Sequence, residues 1–297
     1  MNKKIFLTVA GSDPSGGAGI QADIRVAEKL GLYPTSVVTA ITVQNGLVVN
    51  DIKEVNAKLI QAQFEAVVED LKPDAIKVGL LCTPETVRLI AKSIKKYNLS
   101  NIVVDPILSL TLRREEPSHQ MIRAYADYLF ELATLVTPNL QEYDCFEREL
   151  GVPFSSICQD YLLKGGHSRD NEICEDIYFH SPDALPGLSG LNSHGLLVLG
   201  NTSPFPTMHD SMKLLSHELE SETFNESLDS YSFKHKRIHT QNTHGSGCIL
   251  SSAIACNLAM GNDIMTSIQK GIDFTDREIS NSKSLKIGKG NYGPAMI

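Results

Sequence analysis

A chain of 297 residues, 42% hydrophobic and 21% charged, is long enough to bury a full core and suits one large α/β domain, expected to span 1–297. Its formal net charge of −8 argues against nucleic-acid or membrane-surface partners, because phosphate surfaces are held chiefly by dense Lys/Arg fields, and the pairs Lys95-Lys96 and Arg113-Arg114 read as solvated faces. No stretch approaches the ~18 apolar residues of a membrane span and the first residues lack a signal-peptide pattern, so a soluble cytoplasmic protein is expected.

Taken in chain order, Ile5–Ala10 reads as a strand, followed by a glycine-rich turn and a helix over Ile20–Leu30. Strands over Ser36–Thr42, Ala75–Leu80, Ile102–Asp105 and Thr134–Thr137 alternate with helical patterns over Asn56–Leu71, Pro84–Tyr97 and His119–Glu131. Such alternation predicts parallel strands joined by crossover helices, a sheet covered on both faces, and ligands at the carboxyl ends of the strands. Beyond "LLKGGHS" (162–168) the pattern loosens. Residues 181–232 are rich in Ser, His, Pro and Gly, with one apolar run at Gly195–Gly200 and a possible helix over Met208–Leu219, and read as an insertion. Regularity returns in "THGSGCILSSAIACNLAMG", a glycine turn feeding a small-residue helix that stops at Gly261. The six cysteines form no CxxC pair and no zinc-finger spacing, so free thiols are expected. His167, His239 and His244 lack ligand spacing and read as pocket-edge or surface residues.

The stretch "AGSDPSGGAGIQADI" (10–24) admits three readings. A P-loop fails because Gly17-Ala18 stands where Lys and Ser/Thr must reach phosphate and Mg²⁺. A dinucleotide fingerprint, Gly17-x-Gly19-x-x-Ala22, begins too far past the strand and has Ser36-Val37-Val38 where an acidic residue belongs. The third is a tight strand-to-helix turn whose glycines allow packing, with Asp23 in the first helical turn. At the other glycine turn, Cys248 opens a helix where free N–H groups converge on an anion, a position expected to lower a thiol pKa; the alternative is a small buried residue, as Cys256 is read. Asn139 and Glu142, three apart after a proline, have the spacing of an N-cap and its N3 partner.

"AGSDPSGGAGIQADI", "TAITVQN", "DAIKVGLL", "VVDPI", "LVTPNLQE", "LLKGGH" and "NTHGSGC", in that order, resemble the hydroxymethylpyrimidine and phosphomethylpyrimidine kinases of thiamine synthesis, within the ribokinase-like superfamily. The resemblance covers roughly residues 3–180 and 236–280. It implies a three-layer α/β/α sandwich with a mostly parallel central sheet. It also implies transfer of the ATP γ-phosphoryl group to a hydroxymethyl on an aminopyrimidine, then to the resulting monophosphate, in a homodimer that uses Mg²⁺.

By the same resemblance the first glycine stretch lines the acceptor pocket, while ATP phosphates lie on the late turn. Cys248 looks like the general base, and Gly245, Ser246 and Gly247 complete the anion hole, with Ser246 replacing the usual threonine. Gln44, whose amide offers a donor and an acceptor in one plane, looks like the reader of the aminopyrimidine edge. Asp23, Gly11, Leu80 and Ile107 fall where the family lines that pocket. Asn139 and Glu142 fall on the family's Mg²⁺ motif, Asp105 would add charge near the metal, and Lys164 would meet the phosphates of ATP.

Two features depart from the pattern. After Asp105-Pro106 the chain reads "ILSLTLRREEPSHQ", without the glycine of the usual loop, so Arg113 or Arg114 would have to supply charge there. Residues 181–232 make the chain roughly forty residues longer than the family needs. A pyridoxal-type kinase and a non-catalytic pyrimidine-binding paralogue stand as alternatives; Gln44 and Cys248 favour the pyrimidine kinase over the former, while Asn139, Glu142 and Cys248 speak against the latter and the missing glycine loop speaks for it.

Overall fold

β1 (Ile5–Ser12) is buried along nearly its whole length, with Phe6, Leu7 and Val9 wholly shielded, which requires cover on both faces of the sheet it joins. The computed structural model describes residues 3–108, 117–165, 172–182, 184, 228–289 and 293–296. Among the described residues nine strands form one sheet in the order β3-β2-β1-β4-β5-β6-β7-β8-β9. The parallel centre comprises β2 (Tyr33–Gln44), β1, β4 (Ala75–Val78), β5 (Ile102–Val104), β6 (Leu135–Val136) and β7 (Asp160–Leu163). β3 (Val49–Glu54) is antiparallel at one edge; β8 (Ile173–His180) and β9 (Asp229–Lys236) are antiparallel at the other.

The period of two along the strands sorts the core into two layers. Leu7, Val9, Ile76, Val78 and Val104 face α2 (Ala57–Asp70), α3 (Pro84–Lys96), α4 (His119–Ala124), α5 (Leu140–Leu150) and α6 (Phe154–Ile157). Phe6, Ala75, Val103 and Leu135 face α1 (Gly19–Lys29), α7 (Ser246–Ala259) and α8 (Ile264–Ser282). The expected three-layer sandwich is therefore the observed one. Side-chain caps start two helices where the sequence puts them, Asn56 accepting from Leu59 N–H and Thr83 from Thr86 N–H ahead of Pro84; α8, which was not expected from the sequence, starts where Asp263 accepts from Thr266 N–H. None of the helices described is long and apolar enough to cross a membrane.

β3, β7, β8 and β9 were not expected from the sequence. β9 shows why: of its eight residues only Phe233 is buried, so it carries no apolar alternation, and backbone pairing with β8 from His180↔Asp229 to Ile173↔Lys236 holds it in place. β9 also takes Asp229–Ser232 out of the expected insertion. The Gly195–Gly200 run, the Met208–Leu219 helix, Arg113, Arg114 and His167 lie outside the described residues. The helix expected to end at Glu131 is α4, which relaxes through a π-turn over Tyr125–Leu129 and a 3₁₀ turn over Phe130–Leu132.

Candidate active site

A cavity of about 1080 Å³ opens at the carboxyl ends of β1, β2, β4 and β5. It collects Gly11, Gln44, Leu80, Asp105, Ile107, Asn139, Glu142, Lys164 and Gly245–Cys248 on one continuous surface. Asp23 is the exception. It is the fifth residue of α1 rather than part of its first turn, is wholly buried, and stands behind the wall, where Lys77 covers it.

The two glycine turns lock into one another. Asp13, just past β1, accepts hydrogen bonds from Ser15 N–H (2.8 Å), Ser15 Oγ (2.7 Å), Ala18 N–H (2.9 Å) and His244 Nε2 (2.9 Å). Burial alone would raise its pKa, but His244 and Ser15 overcome that and hold it at about 2. The His244 ring lies over Gly17, where a Cβ would come within 2.2 Å of it. Gly245, at φ +83°, presses on the Gly17 carbonyl so closely that its own Cβ would stand 1.9 Å away. The packing reading of the first stretch is thus correct for Gly17, and the same turn also lines the cavity through Gly11, Ser12, Asp13 and Gly19. His244 sits at the pocket edge, 3.4 Å from Gln44 Nε2.

α7 begins behind Gly245 with no side-chain cap. Ser246 N–H reaches Thr243 O and Ile249 N–H reaches Gly245 O, whereas the N–H groups of Gly247 and Cys248 belong to the helical turn that has no intrahelical acceptor. Both residues line the cavity. The thiol of Cys248 corrects the expectation of a lowered pKa: burial pushes it up to about 11, Lys77 and the Gly19 N–H draw it down, and Asp23 and Asp105 add to the rise. A helix terminus does not outweigh the loss of water around a side chain only 6% exposed.

Beside the sulfur lies a floor of paired charges. Asp105 accepts from Lys164 Nζ at 2.8 Å, Thr137 Oγ1 at 3.3 Å and Ser251 Oγ at 3.4 Å. Burial would raise it, yet Lys164 and Lys77 keep it ionised below the ordinary carboxylate range. Asn139 and Glu142 form the capping box of α5, Asn139 Oδ1 accepting from Glu142 N–H (2.9 Å) and Glu142 Oε2 from Asn139 N–H (2.8 Å). Burial raises Glu142 to about 7 and Asp105 adds to that, against the pull of Lys164. The carboxylates of Asp105 and Glu142 and the amide oxygen of Asn139 line the cavity together, a hard-oxygen donor set that fits Mg²⁺. Among the described residues no group of three or more His, Cys, Asp or Glu side chains is placed to hold a metal ion by itself, so such an ion would keep water and phosphate as its other ligands.

Sequence reasoning missed two parts of this cavity. Lys77 lines its floor from inside the apolar run of β4, and a lysine in a fully buried strand was the available signal. At the far end, His235 on β9 stands between Asp276 of α8 (Nδ1, 2.8 Å) and Asp176 of β8 (Nε2, 3.5 Å), and Asp176 accepts from Gly165 N–H at 2.6 Å. Burial opposes the imidazolium, but the two carboxylates raise His235 to about 9. Nothing local marks this cluster, because it unites three distant segments.

The sequence model of the family described as phosphomethylpyrimidine kinase matches residues 13–185 and 213–295. A probable thiamine biosynthetic bifunctional enzyme of rice (Oryza sativa subsp. japonica) is 33% identical over 97% of this chain and 46% of its own length. The chain spans about half the length of the first curated relatives it matches. The hydroxymethylpyrimidine/phosphomethylpyrimidine kinase of Rhizobium meliloti is 30% identical over 98% of this chain and 95% of its own. Among solved structures, a phosphomethylpyrimidine kinase from Clostridium difficile superposes with a TM-score of 0.62 at 28% identity, covering 93% of this chain and 99% of that one.

Proposed function

Because the chain belongs to the phosphomethylpyrimidine kinase family, we propose that it transfers the γ-phosphoryl group of ATP to hydroxymethylpyrimidine and then to the monophosphate so formed. The observation that carries this reading is the shared cavity, in which Gln44 and the first glycine turn face the uncapped start of α7 with Cys248. Phosphoryl transfer asks a protein for alignment, charge neutralisation and a proton acceptor near the attacking hydroxyl. Gln44 reads the aminopyrimidine edge, with Gly11, Leu80 and Ile107 forming the walls around it. The Gly247 and Cys248 N–H groups and the Lys164 ammonium face the transferred phosphoryl group, and the thiolate form of Cys248 takes the hydroxyl proton to become the thiol. Asp105, Asn139 and Glu142 would hold Mg²⁺, which would supply positive charge to the phosphate oxygens.

The test is ADP release with Mg-ATP and each of three acceptors: hydroxymethylpyrimidine, its monophosphate and pyridoxal. Turnover of both pyrimidines is expected. Turnover of pyridoxal alone would move the chain to the pyridoxal-kinase reading, and no ADP from any acceptor would leave a binding protein.

Glu142 sets the pH dependence of the metal step. Its folded pKa of about 7 lies above the ordinary 4.5, so in metal-free protein the stability it contributes is full below pH 4.5 and is lost as pH rises through 7. A cation that binds the carboxylate reverses this. The Mg²⁺-induced gain in melting temperature is expected to be larger at pH 8 than at pH 6, with apparent affinity falling as much as about tenfold per pH unit below 7. A gain independent of pH would remove Glu142 from the metal site.

Ile41, Val43 and Leu47, at the β2–β3 edge, are each at least half exposed. This apolar flap supports a homodimer, for which light scattering should return twice the chain mass; a monomer at micromolar concentration would contradict it.

A further inference from the structure

Lys77 is the most deeply placed cation in the site: its side chain and that of Asp23 are both fully buried. Burying an ammonium costs several kcal/mol unless it is well paired, and an apolar pair of similar volume is often as stable or more so. Asp23 meets Lys77 Nζ with both oxygens at 3.0 Å. The carboxylate is itself held by Thr8 Oγ1 (2.5 Å) and by Ser252 Oγ (2.8 Å). Ser252 stands one turn beyond Cys248 on α7, so the anion that orients Lys77 is tied to the helix that presents the sulfur. Lys77 and Cys248 line the same cavity, and Gly79, where a Cβ would come 3.0 Å from Nζ, leaves room for the ammonium there.

Resting on the reading of Cys248 as the proton acceptor, we infer that Lys77 is a positioning residue whose ammonium, aimed by Asp23, stabilises the thiolate of Cys248. The charged groups around the sulfur are Lys77 on β4, Asp23 on α1, Asp105 after β5 and Lys164 after β7. Burial is the largest influence on the thiol and opposes ionisation; the Lys77 charge is the next and favours it, while Asp23 and Asp105 oppose it.

The experiment follows the alkylation of Cys248 by iodoacetamide in the full chain, read on its own peptide by mass spectrometry between pH 7 and 9.5. Lys77→Gln, whose amide still donates to Asp23, is expected to slow alkylation about tenfold at each pH, the loss of about one pH unit of thiolate stabilisation. Lys77→Arg restores most of the rate. Asp23→Asn, whose amide oxygen still accepts from Lys77 and keeps it aimed, removes the negative charge that opposes the thiolate and speeds alkylation. Equal rates in Lys77→Gln and wild type, or the same direction of change in Lys77→Gln and Asp23→Asn, would show a purely structural pair and overturn the inference. Should Lys77→Gln not fold, the doubly neutral Asp23→Asn/Lys77→Gln replaces it; its alkylation must be slower than wild type, and a rate equal or higher overturns the inference. Failure of the underlying reading looks different: Cys248→Ala would keep full turnover while alkylation still responded to Lys77.

Discussion

Cys248→Ala is expected to lower kcat by 10²- to 10⁴-fold, the range that a positioned proton acceptor supplies, while the protein folds and binds ADP as before. The substitution removes one sulfur from a helix that Ser251, Ser252 and Ala253 already pack with small side chains, a loss of about 1 kcal/mol. The N–H groups of Gly247 and residue 248 survive it, since they are backbone, and so does the Asp105–Lys164 pair 2.8 Å apart. Alignment and charge neutralisation therefore remain, and they account for the residual rate. Steady-state kinetics with a calorimetric measurement of ADP binding check both halves. A variant with wild-type kcat would remove Cys248 from the proton transfer, and one with lost ADP binding would make its role structural. In the wild type, a thiol raised to about 11 gives more thiolate with every pH unit above neutrality, so kcat should climb with pH over the range in which the fold persists, and Cys248→Ala should flatten that climb.

Lys164→Met is expected to reduce kcat/KM by about 10²- to 10³-fold and to destabilise the protein as well. Asp105 is buried and the Lys164 side chain is 14% exposed, and Lys164 stays protonated because Asp105 and then Glu142 outweigh its desolvation. Removing the ammonium leaves Asp105 and Glu142 facing one another without it, a break that costs about 3–5 kcal/mol in buried pairs. Thr137 and Ser251 still donate to Asp105, which places the loss at the lower end, a fall of about 5–10 °C in Tm. Lys164→Arg separates the two effects: it keeps the charge and the fold but changes the geometry offered to phosphate. Recovery of stability with only partial recovery of kcat/KM is the expected outcome. Full activity in Lys164→Met would exclude a role in the phosphate site.

Much of the site was legible because its residues sit at punctuation points of the chain. Gln44 ends β2, Asp105 follows β5, Asn139 caps α5, Lys164 follows β7, and Cys248 opens α7. In a parallel sheet those points gather on one edge, whatever the loops between them do. The turn glycines were equally legible, although only the structure showed that Gly17 yields space to His244 and Gly245 to the Gly17 carbonyl. Asp23 was misplaced on the wall because sequence neighbourhood does not say which side of a helix faces a cavity.

Local pattern accounts for the buried β1, β4 and β5, the helices that start at Asn56 and Pro84, the Asn139–Glu142 cap spacing and the two glycine turns, each set by side chains within a few residues. The polar hairpin β8–β9, the Lys77–Asp23 pair, the His235 cluster and the raised pKa values of Cys248 and Glu142 were decided only by the tertiary structure. Strand pairing at an edge and the balance of burial against charge are sums over segments far apart in the chain, and no window of sequence contains their terms.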